Sequence, residues 1–136
     1  MFTLHPQLAA DCHVVLDLPL CQLLMSKDAN YPWFLLVPRR EDVREIYELD
    51  EADQQQLWRE SARLSKVLMN HFQGHKLNVA ALGNMVPQLH LHHIVRFEGD
   101  GAWPKPVWGQ LPAEAFAEGA AEARIAAVKA LLAPGL

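Results

Sequence analysis

Cysteine and long apolar runs are both scarce in this sequence. Only two cysteines occur, Cys12 and Cys21, and their spacing forms neither a disulfide framework nor a C-x-x-C zinc half-site. No run reaches the roughly 18 apolar residues that a membrane span needs. The first residues also lack the basic segment of a secretory signal. We therefore expect a cytoplasmic protein with no membrane partner.

Positive charge is also in short supply. The chain has 12 Lys and Arg against 16 Asp and Glu, which gives a formal net charge of −4. Polymers of nucleic acid are bound mainly by clustered basic side chains, so they are not the expected partner. A mononucleotide needs only one local pocket and stays compatible with this charge. With 136 residues, of which 51% are hydrophobic, the chain is expected to form a single domain over residues 1–136.

Apolar periodicity and turn residues divide the chain into helices and strands. A short helix is predicted at residues 5–12, and a hairpin of two strands at 19–26 and 33–37. A long amphipathic helix follows at 51–72, with Asp50 as its N-cap and Gly74 as its C-cap. Two further strands are predicted at 77–82 and 86–97, and a last helix at about 113–132. This order indicates an α+β domain with helices packed on one face of an antiparallel sheet.

The strand predicted at residues 86–97 contains three histidines. Side chains alternate between the two faces of a strand, so Gln88, His90 and His92 share one face with Ile94. The other face carries Leu89, Leu91, His93 and Val95, which suits a core covered by helices. His90 and His92 would then lie about 6–7 Å apart along the strand.

Two imidazoles at this spacing fit three roles. One could attack phosphorus while the other binds phosphate oxygens or protonates the leaving group. Both could instead bind one metal ion, although the sequence offers no third ligand at a recognised spacing. They could also be polar side chains on a solvated sheet face.

The segment resembles the signature of the histidine triad superfamily, His-φ-His-φ-His-φ-φ with φ apolar. Here it reads Gln88-Leu89-His90-Leu91-His92-His93-Ile94, and the similarity extends over about residues 18–109. The resemblance implies a HIT-like fold, with an antiparallel sheet of about five strands, one long helix and a C-terminal helix, joined across a homodimer. It also implies a purine nucleotide or nucleotide conjugate as ligand, with no cofactor and no metal.

By position, the resemblance makes His90 the nucleophile that attacks the α-phosphate and forms a nucleotidyl intermediate, which water then hydrolyses. His92 would contact phosphate oxygens and assist the leaving group. The expected substrates are nucleoside phosphoramidates or dinucleoside polyphosphates.

The sequence departs from the family pattern at four places, one of which is His93 at an apolar position of the motif. Gln88 replaces the first histidine of the triad, and an amide does not titrate near neutral pH, so only a positioning role could survive there. Glu41 stands where many relatives have a histidine after the basic pair. The glycine-rich stretch before the triad is reduced to Gly83 and Asn84. These departures keep open an alternative function, a nucleotide-binding module with little or no turnover.

Four further residues are candidates for contacts with nucleotide or phosphate: Asn84, Arg96, Asn78 and Arg39. Each also has a structural alternative, namely a salt bridge for Arg96, a cross-strand hydrogen bond for Asn78 and a solvated basic pair for Arg39. Trp103 and Trp108 frame a Pro-rich loop, and they could close the pocket, reach a partner subunit or cover the edge of the sheet.

Overall fold

The structure is a computed structural model that describes residues 1–135. A five-stranded antiparallel sheet has the order β1-β2-β3-β5-β4. Its strands are β1 (Cys12–Asp17), β2 (Cys21–Ser26), β3 (Trp33–Pro38), β4 (Lys76–Ala80) and β5 (Leu91–Arg96). The helices are α1 (Pro6–Asp11), α2 (Glu51–Phe72) and α3 (Ala120–Leu132), with short 3-10 turns at Ile46–Glu48 and Ala133–Gly135. The predicted α+β architecture, an antiparallel sheet of about five strands with one long helix and a C-terminal helix, is confirmed.

Helix α2 has the bounds that the sequence predicts. The carboxylate of Asp50 accepts a hydrogen bond from the main-chain N–H of Asp53 at 2.8 Å, as an N-cap should. The predicted C-cap is displaced by one residue, because Gln73 takes the left-handed conformation with φ of 53°. Gly74 is needed for another reason: a Cβ placed there would lie 2.5 Å from Cγ1 of Val95.

Strand β1 has no counterpart in the sequence prediction. A register shift between Val14 and Leu16 interrupts its pairing with β2. The apolar residues of this segment therefore do not alternate, and the period-two signal of a strand is lost.

Two predicted elements are too long. The strand predicted at 86–97 begins only at Leu91, because Pro87 has no N–H to donate and the N–H of Leu89 bonds to the main-chain oxygen of Val43, outside the sheet. The helix predicted from residue 113 begins at Ala120. The main chain of Glu114 is bound to the β2–β3 turn, where its N–H meets Asp28 and its oxygen accepts from Ala29, and these bonds compete with helix formation.

The main core lies between the sheet and helices α2 and α3. Leu57, Leu64 and Leu68 of α2 are fully buried against Phe34 and other sheet residues. His93 points into this core, as the alternation predicts, and its Nε2 lies 2.7 Å from the hydroxyl of Ser61. Its Nδ1 donates to the main-chain oxygen of Leu91 at 3.0 Å, so both ring nitrogens are paired. His93 is therefore a structural residue of the core.

The opposite face of the sheet is covered at two places. The N-terminal segment and α1 cover one end, where Leu8 and Cys12 pack with Leu24, Leu35 and Val37. The loop after β5 covers the other end, where Ala102 and Val107 pack with Tyr31 and Ile94. The part of this face between the two covers is open. Among residues 1–135, no helix is long and apolar enough to cross a membrane.

Candidate functional site

A cavity of about 820 Å³ opens on the uncovered part of the sheet. This volume lies within the range of small-molecule sites. Its floor includes His90, His92, Leu35 and Trp33, and its walls come from α1, the β2–β3 turn, the segment after β4 and the loops on either side of Trp108 and Glu114. Two of the three residues predicted as catalytic, His90 and His92, therefore line one cavity.

His90 lies immediately before β5 and is 7% exposed. Its Nδ1 is 2.7 Å from the main-chain oxygen of Gln88. A carbonyl oxygen can only accept, so Nδ1 carries the hydrogen and the lone pair of the neutral ring is on Nε2. This is the tautomer in which Nε2 can act as a nucleophile.

His92, on β5, has the opposite tautomer. The indole Nε1 of Trp33 donates a hydrogen bond to its Nδ1 at 3.0 Å. Indole has a donor and no acceptor, so Nδ1 of His92 carries the lone pair and Nε2 carries the hydrogen. The rings of His90 and His92 are 4.8 Å apart between centroids, at an angle of 75°. One neutral imidazole therefore has a free lone pair beside another that has a free N–H donor.

His92 is also held in its neutral form. Burial, together with the neighbouring His90 and His93, lowers the pKa of His92 from 6.5 to about 3. At neutral pH in the free protein, His92 therefore offers a hydrogen bond and not a proton that it can transfer. Of the two roles that the sequence left open, donation to phosphate oxygens agrees with this chemistry better than protonation of the leaving group.

The two tryptophans of the loop after β5 are placed differently. Trp108 lines the cavity and stands edge-on to His92, with 5.1 Å between ring centroids. Trp103 packs instead on the guanidinium of Arg96 at 5.6 Å and against His75. Asp100 holds this loop by accepting hydrogen bonds from the main-chain N–H groups of Ala102 and Trp103. Trp108 therefore borders the cavity, whereas Trp103 packs on the end of β5 and next to the start of β4.

The side chain of Gln88 does not line the cavity that holds His90 and His92, because the N-terminal segment engages it. Its Oε1 accepts from the N–H of His5 at 2.8 Å, and its Nε2 donates to the main-chain oxygen of Thr3 at 2.9 Å. The side-chain amide thus fastens the N-terminal segment to the sheet. Gln88 contributes to the site through its main-chain oxygen, which orients His90.

Of the four predicted phosphate contacts, only Asn84 lines the cavity. Arg96 is 1% exposed and forms two hydrogen bonds with Asp100, at 2.8 and 3.0 Å. Its third contact is the side-chain oxygen of Asn78 at 2.8 Å, so both residues are used in a buried network away from the cavity. Arg39 donates to the main-chain oxygens of Cys21 and Pro19 and lies 3.6 Å from Asp17. These three placements correct the expectation that the side chains face the ligand.

Several cavity residues were not predicted from the sequence. Trp33 was treated as an apolar strand residue, and only the tertiary pairing of β3 with β5 reveals its bond to His92. The charged residues at the rim come from three separate segments: Asp11 from the end of α1, Lys27 and Asp28 from the β2–β3 turn, and Glu114 from the segment before α3. Cys12 also lines the cavity, but burial raises the pKa of its thiol to about 12, which suppresses the reactive thiolate.

The residues that the structure describes contain no group of three or more His, Cys, Asp or Glu side chains placed to hold one metal ion.

The fold and the site together define a class of α+β protein. In this class, two neighbouring histidines line a cavity on the face of the sheet opposite the main helices. Residues 7–99 match the family model of the HIT domain, and the chain belongs to the histidine triad family. A histidine triad protein from Marinobacter aquaeolei is 51% identical, with 98% of each chain covered and a TM-score of 0.95. One from Bradyrhizobium japonicum is 48% identical, with 96% of this chain and 98% of that chain covered and a TM-score of 0.94.

A third histidine triad protein, from Sinorhizobium meliloti, is 40% identical, with 96% of this chain and 97% of that chain covered and a TM-score of 0.93. The comparison with curated proteins gave no significant match.

Proposed function

We propose that this protein is a hydrolase that cleaves nucleoside phosphoramidates at the α-phosphate, with His90 as the nucleophile. The observation that carries the proposal is the complementary pair of tautomers, because the His90 Nε2 lone pair lies beside the Nε2–H of His92 on the floor of one cavity. Nucleophilic catalysis needs such a lone pair, and a phosphoryl group needs fixed donors for its oxygens.

The reaction would proceed in two steps. Nε2 of His90 attacks the α-phosphorus, the P–N bond to the amine breaks, and the amine leaves with that electron pair and takes a proton from water. The hydroxide ion that remains is neutralised by the proton released in the second step. The ring is then a cation, and its Nδ1–H bond to the oxygen of Gln88 stabilises it. Water attacks phosphorus in the second step, the electron pair of the P–N bond to His90 returns to Nε2, and a proton is released. The net reaction consumes one water and gives a nucleoside monophosphate and an amine.

Charge favours phosphoramidates over dinucleoside polyphosphates, the other substrates that the sequence left open. Three carboxylates and one lysine stand at the cavity rim: Asp11, Asp28, Glu114 and Lys27. A polyphosphate bridge brings negative charge on every phosphate toward these carboxylates, and like charges oppose binding. An amine leaving group brings none and is attracted when it is protonated.

The test compares hydrolysis of adenosine 5′-phosphoramidate with that of a diadenosine polyphosphate, for wild type and His90→Ala. We expect faster turnover of the phosphoramidate and none in the variant. A wild-type protein that prefers the polyphosphate would contradict the substrate assignment, and an active His90→Ala protein would contradict the mechanism.

The second candidate is a nucleotide-binding module with little turnover. The engagement of the Gln88 amide by Thr3 and His5 favours it, because that side chain is then withdrawn from the cavity. Calorimetry with AMP separates the candidates: binding without phosphoramidate hydrolysis would support the module, and hydrolysis would exclude it.

We also propose a homodimer and a cytoplasmic location. Strand β4 is an edge strand with an exposed Val79, and the exposed Leu82 and Met85 follow it, so apolar side chains continue along this edge. A second copy paired there would cover them. Light scattering of wild type and Val79→Glu tests this assembly, with a monomer expected only in the variant. The two free, buried cysteines agree with a reducing compartment.

A further inference from the structure

Trp33 lines the cavity and forms a hydrogen bond with His92. It opens β3, which pairs with β5, and its side chain reaches across to His92 on the cavity face. The distance between Nε1 of Trp33 and Nδ1 of His92 is 3.0 Å. The two rings are inclined at 58°, with 5.8 Å between their centroids. Trp33 is half-buried and itself lines the cavity, so this hydrogen bond borders the ligand space.

The bond has a consequence that packing alone would not have. A neutral imidazole exchanges its hydrogen between Nδ1 and Nε2, and in a folded protein the hydrogen-bond partners of the ring bias which nitrogen holds it. Trp33 can only donate, so it makes the Nδ1–H tautomer of His92 unfavourable, because two hydrogens would then point at each other. The same hydrogen bond occupies the lone pair on Nδ1 of His92, which is the position where a second proton would bind. This effect adds to that of burial in keeping the ring neutral.

Trp108 provides an internal comparison. It also stands edge-on to His92, at 78° and 5.1 Å between centroids, and it contacts Trp33 at 5.8 Å. Within the described chain, however, Trp33 is the one tryptophan that makes a hydrogen bond to His92. The two indoles thus contribute similar apolar contact, and only one of them constrains the hydrogen on the imidazole.

We propose that Trp33 is a positioning residue that fixes His92 as the Nε2–H tautomer, so that the site presents a hydrogen-bond donor to a phosphoryl oxygen beside the nucleophile. The catalytic consequence rests on the proposed hydrolase function, whereas the tautomer is a property of the free protein. In the absence of the indole N–H, a fraction of His92 would turn a lone pair toward the phosphoryl group and repel it.

The first test needs no substrate. Nitrogen-15 NMR of the histidine rings at neutral pH reports which nitrogen of each ring carries hydrogen. For wild type we expect a protonated Nε2 and an unprotonated Nδ1 on His92, with a scalar coupling between Nε1 of Trp33 and Nδ1 of His92 across the hydrogen bond. A wild-type His92 with hydrogen on Nδ1, or without that coupling, would overturn the proposal.

Two matched variants extend this test. Trp33→Phe keeps an aromatic ring and removes the N–H, so we expect a mixture of His92 tautomers and a rise in its pKa. Trp108→Phe makes the same chemical change on the other side of His92, and we expect it to leave the tautomer unchanged. Equal effects of the two variants would show a merely structural role and overturn the proposal.

Turnover gives a separate readout. Hydrolysis of adenosine 5′-phosphoramidate should fall roughly 2- to 10-fold in Trp33→Phe, which corresponds to the loss of one ordinary hydrogen bond. Undiminished turnover with a changed tautomer would contradict the catalytic part of the proposal. If wild type hydrolyses no phosphoramidate while the NMR result holds, the hydrolase function fails and the positioning role of Trp33 stands.

Discussion

At the scale of single residues, His90, His92 and His93 have three different hydrogen-bond environments. His90 and His92 alternate in tautomer on the cavity face, and His93 is buried against α2 with both nitrogens paired. The sequence motif predicts the face of each ring through the period of two. It does not predict the tautomers, because these depend on a main-chain oxygen outside the strand and on an indole from a neighbouring strand.

Stability should depend on pH through the buried histidines. Burial lowers the pKa of His93 from 6.5 to about 4, so between these values the unfolded chain binds a proton that the folded chain does not. The contribution of neutral His93 to the free energy of unfolding is therefore fully present above pH 6.5, and it is lost as the pH falls toward 4. His93 alone accounts for about 3 kcal/mol over this range, and His92 acts in the same direction.

Urea unfolding of wild type at several pH values between 7 and 4 measures this dependence. His93→Gln removes one of the titrating groups, so its free energy of unfolding should change less steeply over the same range, whatever its absolute stability. An identical slope in the two proteins would rule out His93 as a source of the effect.

At the scale of secondary-structure elements, α2 is the part of the fold that the sequence specifies most completely. Its cap at Asp50 and its apolar stripe are local signals, and both bounds follow from them. Strand β1 and the start of α3 depend instead on contacts distant in sequence, such as the bonds of Glu114 to the β2–β3 turn. Local periodicity could not reveal them.

The end of α2 offers a test of packing between elements. Gly74→Ala would place a methyl group 2.5 Å from Cγ1 of Val95 and 2.8 Å from the sulfur of Met69, which forces β5 and the helix apart. We expect a loss of roughly 1–3 kcal/mol in the free energy of unfolding. Gly99→Ala is the control, because nothing lies within 4 Å of a Cβ there. Equal stability of the two variants in urea titrations would contradict this account.

At the scale of the whole molecule, the open face of the sheet becomes a cavity because distant parts of the chain border it. The fold class and the histidine pair could be predicted from the sequence, since a regular pattern encodes them. The rim of Asp11, Asp28 and Glu114 could not, because it forms only when α1, the β2–β3 turn and the segment before α3 come together. The contacts of Arg96 and Asn78 could not be predicted for the same reason: Asp100, the partner of Arg96, belongs to a loop with no periodic signal, and Asn78 joins this network only through Arg96.

The two hydrogen bonds between the Gln88 side chain and the N-terminal segment are expected to hold one wall of the cavity in place. Gln88→Ala removes both bonds to Thr3 and His5, so the amide of His5 should exchange with solvent at least several-fold faster while the core amides stay protected. Gln55→Ala, at an exposed position of α2, should leave exchange at His5 unchanged. Unaltered exchange at His5 in Gln88→Ala would mean that the side chain does not hold this segment.

The central claim is that Nε2 of His90 forms a covalent bond to the α-phosphorus, and intact-mass spectrometry tests it most directly. Wild type and His90→Ala are mixed briefly with adenosine 5′-phosphoramidate and quenched without acid, which would cleave a phosphorus–nitrogen bond. We predict a transient mass increase of one adenylyl group in wild type, located on His90 by peptide mapping, and none in the variant. Hydrolysis by wild type without an adduct, or an adduct that persists in His90→Ala, would contradict the account.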